Sequence, residues 1–238
     1  MQMMAWTAYA ECAVILAALF TAGIGGVTIL QRRPDGAGKL MGWAALVLCI
    51  GEALSLLPRA AQRLGFAEPG LGALAGKMAA AIAVSVFCIL LSLLWEKLYA
   101  GRNGFFAEMH IRELSGLRAL ACVFPVVYWL SQALGGEKGD PLAGESLTVL
   151  AGIAAVRGGA LLIVAAVVAR YWHKTRSEIP TLRCVWWLLL LGVLFEIGAD
   201  LGAVFVPALA YLYIPQLVCL LGIVLLFVRY AGESGEKH

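Results

Sequence analysis

Apolar residues run through this chain in long blocks broken by short clusters of charge. About 20 apolar residues are needed to cover a hydrocarbon core of about 30 Å. By that measure the blocks predict seven spans, at about 6–30, 40–61, 77–98, 117–134, 147–170, 184–206 and 209–228. The pattern therefore predicts an all-α polytopic membrane protein, a single seven-helix bundle over residues 1–238. The first block has no Lys or Arg before it, is too long for a signal-peptide core, and is followed by Arg32 and Arg33. It is expected to be a retained helix. No separate soluble domain is expected, so any signalling output would pass through another protein.

Three of the blocks are interrupted near their middle by an ionisable residue: Glu52, Arg157 and Glu196. A charge at bilayer depth costs roughly 2.5–3.5 kcal/mol on insertion scales, so such residues face a bundle interior and have partners. With a rise of about 1.5 Å per residue, Glu52 and Glu196 lie about 18 Å into their helices and Arg157 about 15 Å into its own, all near the midplane. Glu52, Ser55 and Arg59 follow an i, i+3, i+7 spacing and share one helix face; Asp200 continues from Glu196 at i+4. Glu11 sits in the outer part of the first helix, and Lys77, Ser85, Tyr128, Trp129, Tyr213 and Gln216 are further candidates to line the same half. Pro58, Pro125, Pro207 and Pro215 lie nearby, where missing backbone hydrogen bonds leave carbonyls for water or ligand. The expectation is an outward-facing pocket of mixed charge. The plain alternative is an ion-pair network that locks helices 2, 5 and 6 together without any ligand. Acids outnumber bases at this depth, and burial beside like charges favours the neutral form of a carboxyl, which is the physical basis of proton coupling.

Composition agrees with the pattern: 62% hydrophobic, 14% charged and a mean hydropathy of +0.87. Alternate loops differ sharply in Lys and Arg, thirteen on one side against four on the other. Cytoplasmic loops carry that excess, so the N-terminus is expected outside and the C-terminus in the cytoplasm, with a bacterial cytoplasmic membrane as the expected location. The net charge of +3 is then mostly topology, and nucleic-acid binding has no support. The loop Gly101–Gly116 mixes Phe105, Phe106, Met109, Ile111 and Leu114 with charge and fits a short surface helix. Six cysteines lie in or at the edge of separate helices, as small buried hydrophobes rather than a disulfide framework. The three histidines fall in loops or the tail, so no metal site, cofactor or catalytic residue is assigned. Gly25-Gly26 and Gly158-Gly159 are expected at close helix contacts. Trp95 and Lys97, with Tyr99 and Tyr230, are expected at the membrane interface.

Trp43 precedes Glu52 by the same interval at which Trp187 precedes Glu196, and Cys88 to Gly101 is spaced like Cys219 to Gly232. These matches suggest a parallel 3+1+3 pseudo-repeat, an arrangement that in transporters places the site where the repeats meet.

The stretch Gly51-Glu52-Ala53-Leu54-Ser55-Leu56-Leu57-Pro58-Arg59, with Gly76-Lys77, Phe124-Pro125 and Ile214-Pro215, resembles a bacterial family of seven-helix integral membrane proteins. That family's second helix usually carries an aspartate and a histidine; here Glu52 replaces the first and the histidine is missing. The resemblance spans most of the chain and implies a fold but no activity. Microbial rhodopsins are similar in helix number and N-terminal side, yet the last helix has no lysine for a retinal Schiff base. SWEET sugar transporters are similar in a three-plus-one-plus-three layout. Their proline-glutamine pairs in helices 1 and 5 are absent, Pro215-Gln216 sits in helix 7, and Asn103, the sole asparagine, is in a loop. Membrane lysoplasmalogenases are distantly similar through the acid in helix 2 alone.

These features point first to a protein that binds a small polar or zwitterionic solute and carries it across the bilayer, with protons as a candidate coupling ion. In that reading Arg157 holds an anionic group or neutralises the acids, while Glu52 and Glu196 hold a cationic group or the proton. The alternatives are a sensor acting through a cytoplasmic protein partner and an intramembrane lipid hydrolase. The lipid bilayer is the expected partner in every case, and homo-oligomers are compatible with all three.

Overall fold

A computed structural model describes residues 2–63, 71–100, 114–119, 121–123 and 147–235. Among them there is no strand. The long helices are α1 (Gln2–Arg32), α2 (Gly36–Arg63), α3 (Leu71–Trp95), α5 (Leu147–Lys174), α6 (Val185–Phe205) and α7 (Tyr213–Gly235). Each of the six contains a stretch long and apolar enough to cross a membrane, the property of a multi-pass integral membrane protein. A shorter helix, α4 (Leu114–Val123), takes in the end of the loop predicted at Gly101–Gly116 and the start of the predicted fourth span; residues 101–113, 124–134 and the acidic loop lie outside the described residues.

Local chemistry explains where the helices stop. Pro34 ends α1, and Asp35 caps α2 by accepting the Gly38 N–H at 3.0 Å while pairing with Arg33 at 3.1 Å. Ile179 and Val206 are both extended, as residues before proline prefer, and each precedes a 3₁₀ turn, Pro180–Leu182 and Pro207–Leu212. The second turn delays α7 to Tyr213, later than the predicted 209, and leaves Pro215 in the first helical turn, where its missing N–H does no harm. Pro58 lies inside α2 and does not end it.

Successive contacts run α1–α2–α3–α5–α6–α7 and return to α1, so the six long helices form a closed ring. Glycines set its tightest seams. A Cβ at Gly51 would overlap the Ala83 methyl, and one at Gly76 would overlap the Leu54 carbonyl. Leu54 is the residue whose carbonyl loses its helical partner to Pro58, so α3 approaches α2 where the helix has an opening. Gly26 and Gly42 draw α1 onto α2, and Gly158 meets Ile197 between α5 and α6. Such small-residue contacts replace the hydrophobic drive that lipid removes.

The outside of the ring is apolar: Phe20, Ile24, Val156, Ile163 and Val218 are all more than half exposed. Trp43 and Trp187 are likewise outward, whereas Glu52 and Glu196 are buried. Nine residues make two and a half helical turns, which puts the tryptophan and the glutamate of each pair on opposite faces.

Inside, the two ends differ. The end where Arg32, Lys97, Lys174 and Arg229 gather is filled by Phe87, Leu91, Leu94, Trp95, Tyr99, Trp172, Val185 and Phe227. Trp172 donates to the Leu91 carbonyl at 3.3 Å and Trp95 to the Thr175 hydroxyl at 3.1 Å. Rings of Trp95 and Tyr171 lie 4.9 Å apart, and Tyr99 meets Trp172 edge-on at 5.9 Å. Trp95 and Tyr99 are therefore core residues, a correction to their expected place at the interface; they point inward because α3 ends against α5. Tyr230 is half-buried beneath the Arg33 guanidinium, 4.7 Å from its ring. Cys88 and Cys219 are buried as expected, but Cys122 and Cys184 are exposed because each stands near a helix end on an outward face.

Gly76→Ala is expected to lower the stability of the detergent-solubilised protein by about 1–3 kcal/mol, because the clash is with backbone that cannot rotate away. Gly152→Ala in α5, where nothing lies within 4 Å, is expected to leave it unchanged or raise it. Thermal unfolding of both variants checks the contrast.

Candidate functional site

The other half of the interior is polar. Its first element is a guanidinium between two acids: Arg157 Nη2 bonds Glu196 Oε1 at 2.6 Å, and Nη1 pairs with Asp200 Oδ2. Glu196 and Asp200 are one turn apart on α6, so both can face the same point on α5. Gly158, next to Arg157, lets the helices close enough for the short arms of the fork to reach both acids. The group spans a gradient of exposure, from Glu196 at 9% of its side chain through Arg157 at 15% to Asp200 at 43%. Glu196 Oε2 is buried and meets no hydrogen-bond partner among the described residues.

The second element uses the start of α7. Tyr213 and Gln216 are three residues apart on one face and reach in two directions. The Tyr213 hydroxyl donates to Glu11 of α1, and the Gln216 amide donates to Glu52 of α2 at 3.3 Å. All four side chains are buried. Ile15, Leu19, Leu56 and Leu217 pack around them, so the bonds lie in an apolar setting where each counts for more than in water.

Helix registers place Arg157 and Glu196 at one depth with Gln216 and Glu52. Gly192 meets Cys219 and Leu220, and Gly198 meets Leu212, which sets Glu196 level with Gln216 across the α6–α7 seam. Gln216 is bonded to Glu52, and Gly76 touches Leu54 and Ser55. The backbone of Lys77 therefore stands on α3 opposite Leu54 and Ser55, just outward of Glu52. Helices α2, α5, α6 and α7 thus each bring a buried or half-buried polar side chain to one layer of the ring, and Glu11 of α1 stands farther out, because Cys49, three residues before Glu52, lies against Leu19 and Gly23.

Of the residues singled out from the sequence, Arg157, Glu196 and Asp200 are brought together, as are Glu52 with Gln216 and Glu11 with Tyr213. Ser55 is half-buried beside the α2–α3 seam. Ser85 turns its hydroxyl to the Ala81 carbonyl of its own helix at 3.0 Å and so is satisfied there. The side chains of Arg59 and Lys77, with Tyr128 and Trp129, lie outside the described residues. The pairing of Glu11 with Tyr213 joins residues 202 positions apart, and no spacing along the chain signals it.

At the opposite end Arg118 of α4 bonds Glu96 and, at 3.2 Å, the Ser92 hydroxyl. Glu96 opens a π-helical turn, Glu96–Ala100, at the end of α3. No pattern in the sequence signals this contact, because a charge at a helix end looks like ordinary solvated surface.

Compared with protein-family models, with curated proteins and with solved structures, the chain has no significant match.

Tyr213→Phe removes a donor from a buried carboxylate and is expected to cost about 1.5–3 kcal/mol. Asp200→Asn, at a half-exposed position, is expected to cost less than about 1 kcal/mol. Unfolding of both variants in the same detergent checks the order.

Proposed function

We propose that the chain is a seven-helix transporter that binds a small polar solute in the layer formed by Glu11, Glu52, Arg157, Glu196, Tyr213 and Gln216. The N-terminus would face outward and the layer would open to that side, with Ser55, Arg59 and Asp200 toward its mouth. The dense aromatic packing at the basic end supports a closed cytoplasmic side in this conformation. The observation that carries the reading is Glu196 Oε2, a buried carboxylate oxygen without a hydrogen-bond partner among the described residues. A network kept only to lock helices together gains most when every lone pair is satisfied. A carboxylate held rigid on one oxygen and open on the other has the form of a binding group. The equal placement of Trp43/Glu52 and Trp187/Glu196 supports a 3+1+3 pseudo-repeat, with the site between its halves.

Purified protein in sealed vesicles is expected to carry solute from a broad panel of small polar metabolites, with a change of internal pH if protons are coupled. Glu52→Gln and Glu196→Gln are expected to reduce uptake at least tenfold while both variants still fold. Folded wild type that moves nothing across the panel, with no pH change, would count against transport.

A further inference from the structure

The end of the ring opposite the polar layer carries a second feature, on its outer surface. There the α5–α6 seam exposes Arg170, His173 and Lys174 of α5, Arg176 of the link, and Arg183 and Trp187 at the start of α6. The seam is fixed at this level by the rings of His173 and Trp186, 4.5 Å apart, and Trp186 lies 5.2 Å from Trp187. Arg176 Nη1 stands 2.7 Å from His173 Nδ1, which holds its guanidinium beside the same ring. Arg170 is the unusual member. It lies one turn before His173, within the membrane-crossing stretch Ala154–Lys174, and shares an exposed stripe of α5 with Ile163 and Ala166. Its side chain therefore faces lipid rather than the interior.

Among the described residues no carboxylate pairs with Arg170, Lys174, Arg176 or Arg183, whereas Arg33, Arg118 and Arg229 at the same end pair with Asp35, Glu96 and Glu233. Glu178 is the one acid in the segment 170–183. An excess of basic residues at one end of a membrane protein is accounted for by topology. Four cations against one acid on a single seam, one of them facing lipid, ask for more. A charge at the hydrocarbon border requires a counter-charge, and the described residues supply none. Beneath the cluster the seam is smooth. Ala166 is exposed, and a Cβ at Gly159, two turns further in, would meet nothing within 4 Å. Trp187 and Leu194, 52% and 50% exposed, form its α6 wall.

We infer that the outer α5–α6 seam at the basic end binds an anionic phospholipid, with its phosphate held by Arg170, Arg176 and Arg183 and an acyl chain lying along Ala166 and Gly159 beside Trp187 and Leu194. Arg170 stands on the membrane side of the His173–Trp186 contact, and Arg183, three residues before Trp186, stands on the other side. The two bracket a headgroup at the level where tryptophan also settles. A soluble phosphate ester would use the guanidinium groups but not the apolar run beneath them, so the continuity of the two selects a lipid. This seam is on the outer surface, and its lipid is independent of what the polar layer carries.

Native mass spectrometry of the full chain in detergent tests this, with dioleoylphosphatidylglycerol, dioleoylphosphatidylcholine and inorganic phosphate as probes. Phosphatidylglycerol is expected to bind at least about tenfold more tightly than phosphatidylcholine. That preference is expected to vanish in Arg170→Gln/Arg176→Gln/Arg183→Gln. It is expected to stay within about twofold of wild type in Arg32→Gln/Lys39→Gln/Lys97→Gln, which removes the same charge from exposed positions at the same end of the ring. Where the first triple variant does not fold, Arg170→Gln alone decides, with an expected loss of about fivefold. Equal losses in the two triple variants overturn the inference, since they mean attraction to the charged end as a whole. Equal binding of the two lipids overturns it as well. Inorganic phosphate that binds as tightly as phosphatidylglycerol overturns the lipid and leaves a site for a soluble anion.

Discussion

Arg157 stands between two carboxylates of successive α6 turns, in a part of the protein where neither charge would be stable alone. An isolated ion at bilayer depth is costly, and a guanidinium shared by two acids meets that cost through paired, charge-assisted bonds. Around it the rest of the interior divides. On one side lies a dry aromatic packing of Trp95, Tyr99, Tyr171 and Trp172; on the other, a layer in which Tyr213 and Gln216 steady Glu11 and Glu52. The glycine seams matter because they bring five helices near enough for these short side chains to meet. Without Gly158 against Ile197, the α5–α6 distance would grow and the fork would lose one of its acids.

Depth is what makes the layer more than a set of local pairs. Arg157 and Glu196 on one seam, Gln216 and Glu52 on another, and Glu11 with Tyr213 on a third could each be explained as a helix lock. The first two share a level that follows from contacts at Gly192 and Gly198, while Glu11 stands farther out on α1. A lock needs no shared depth, whereas a site that engages one solute from several helices does. The gradient from buried Glu196 to half-exposed Asp200 gives the same layer a direction toward solvent.

Much of this was legible in the chain. Long apolar blocks foretell the helices because lipid forces every backbone group to bond within its own segment. The buried acids stood out because charge is rare in such blocks, and their depth followed from the helical rise. Partner choice was less legible. That Arg157 would take Asp200 along with Glu196 depends on helix rotation, and that Tyr213 would reach Glu11 depends on how the last helix closes against the first. Trp95 and Tyr99 were misplaced for the same reason: an aromatic near a charged helix end has the same local pattern whether it faces headgroups or core. Pro207 had visible consequences only in part, since its 3₁₀ turn moved the start of α7 by four residues.

Arg157 and Glu196 act as one unit on which the layer is built. A double-mutant cycle on unfolding, with Arg157→Gln, Glu196→Gln and the two combined, tests it most directly. The expected result is a coupling of about 2–3 kcal/mol, with the double variant more stable than Arg157→Gln alone, because the second change removes the carboxylate that the first leaves buried without its cation. Costs that simply add would contradict the account, since they would mean that the two charges do not depend on each other.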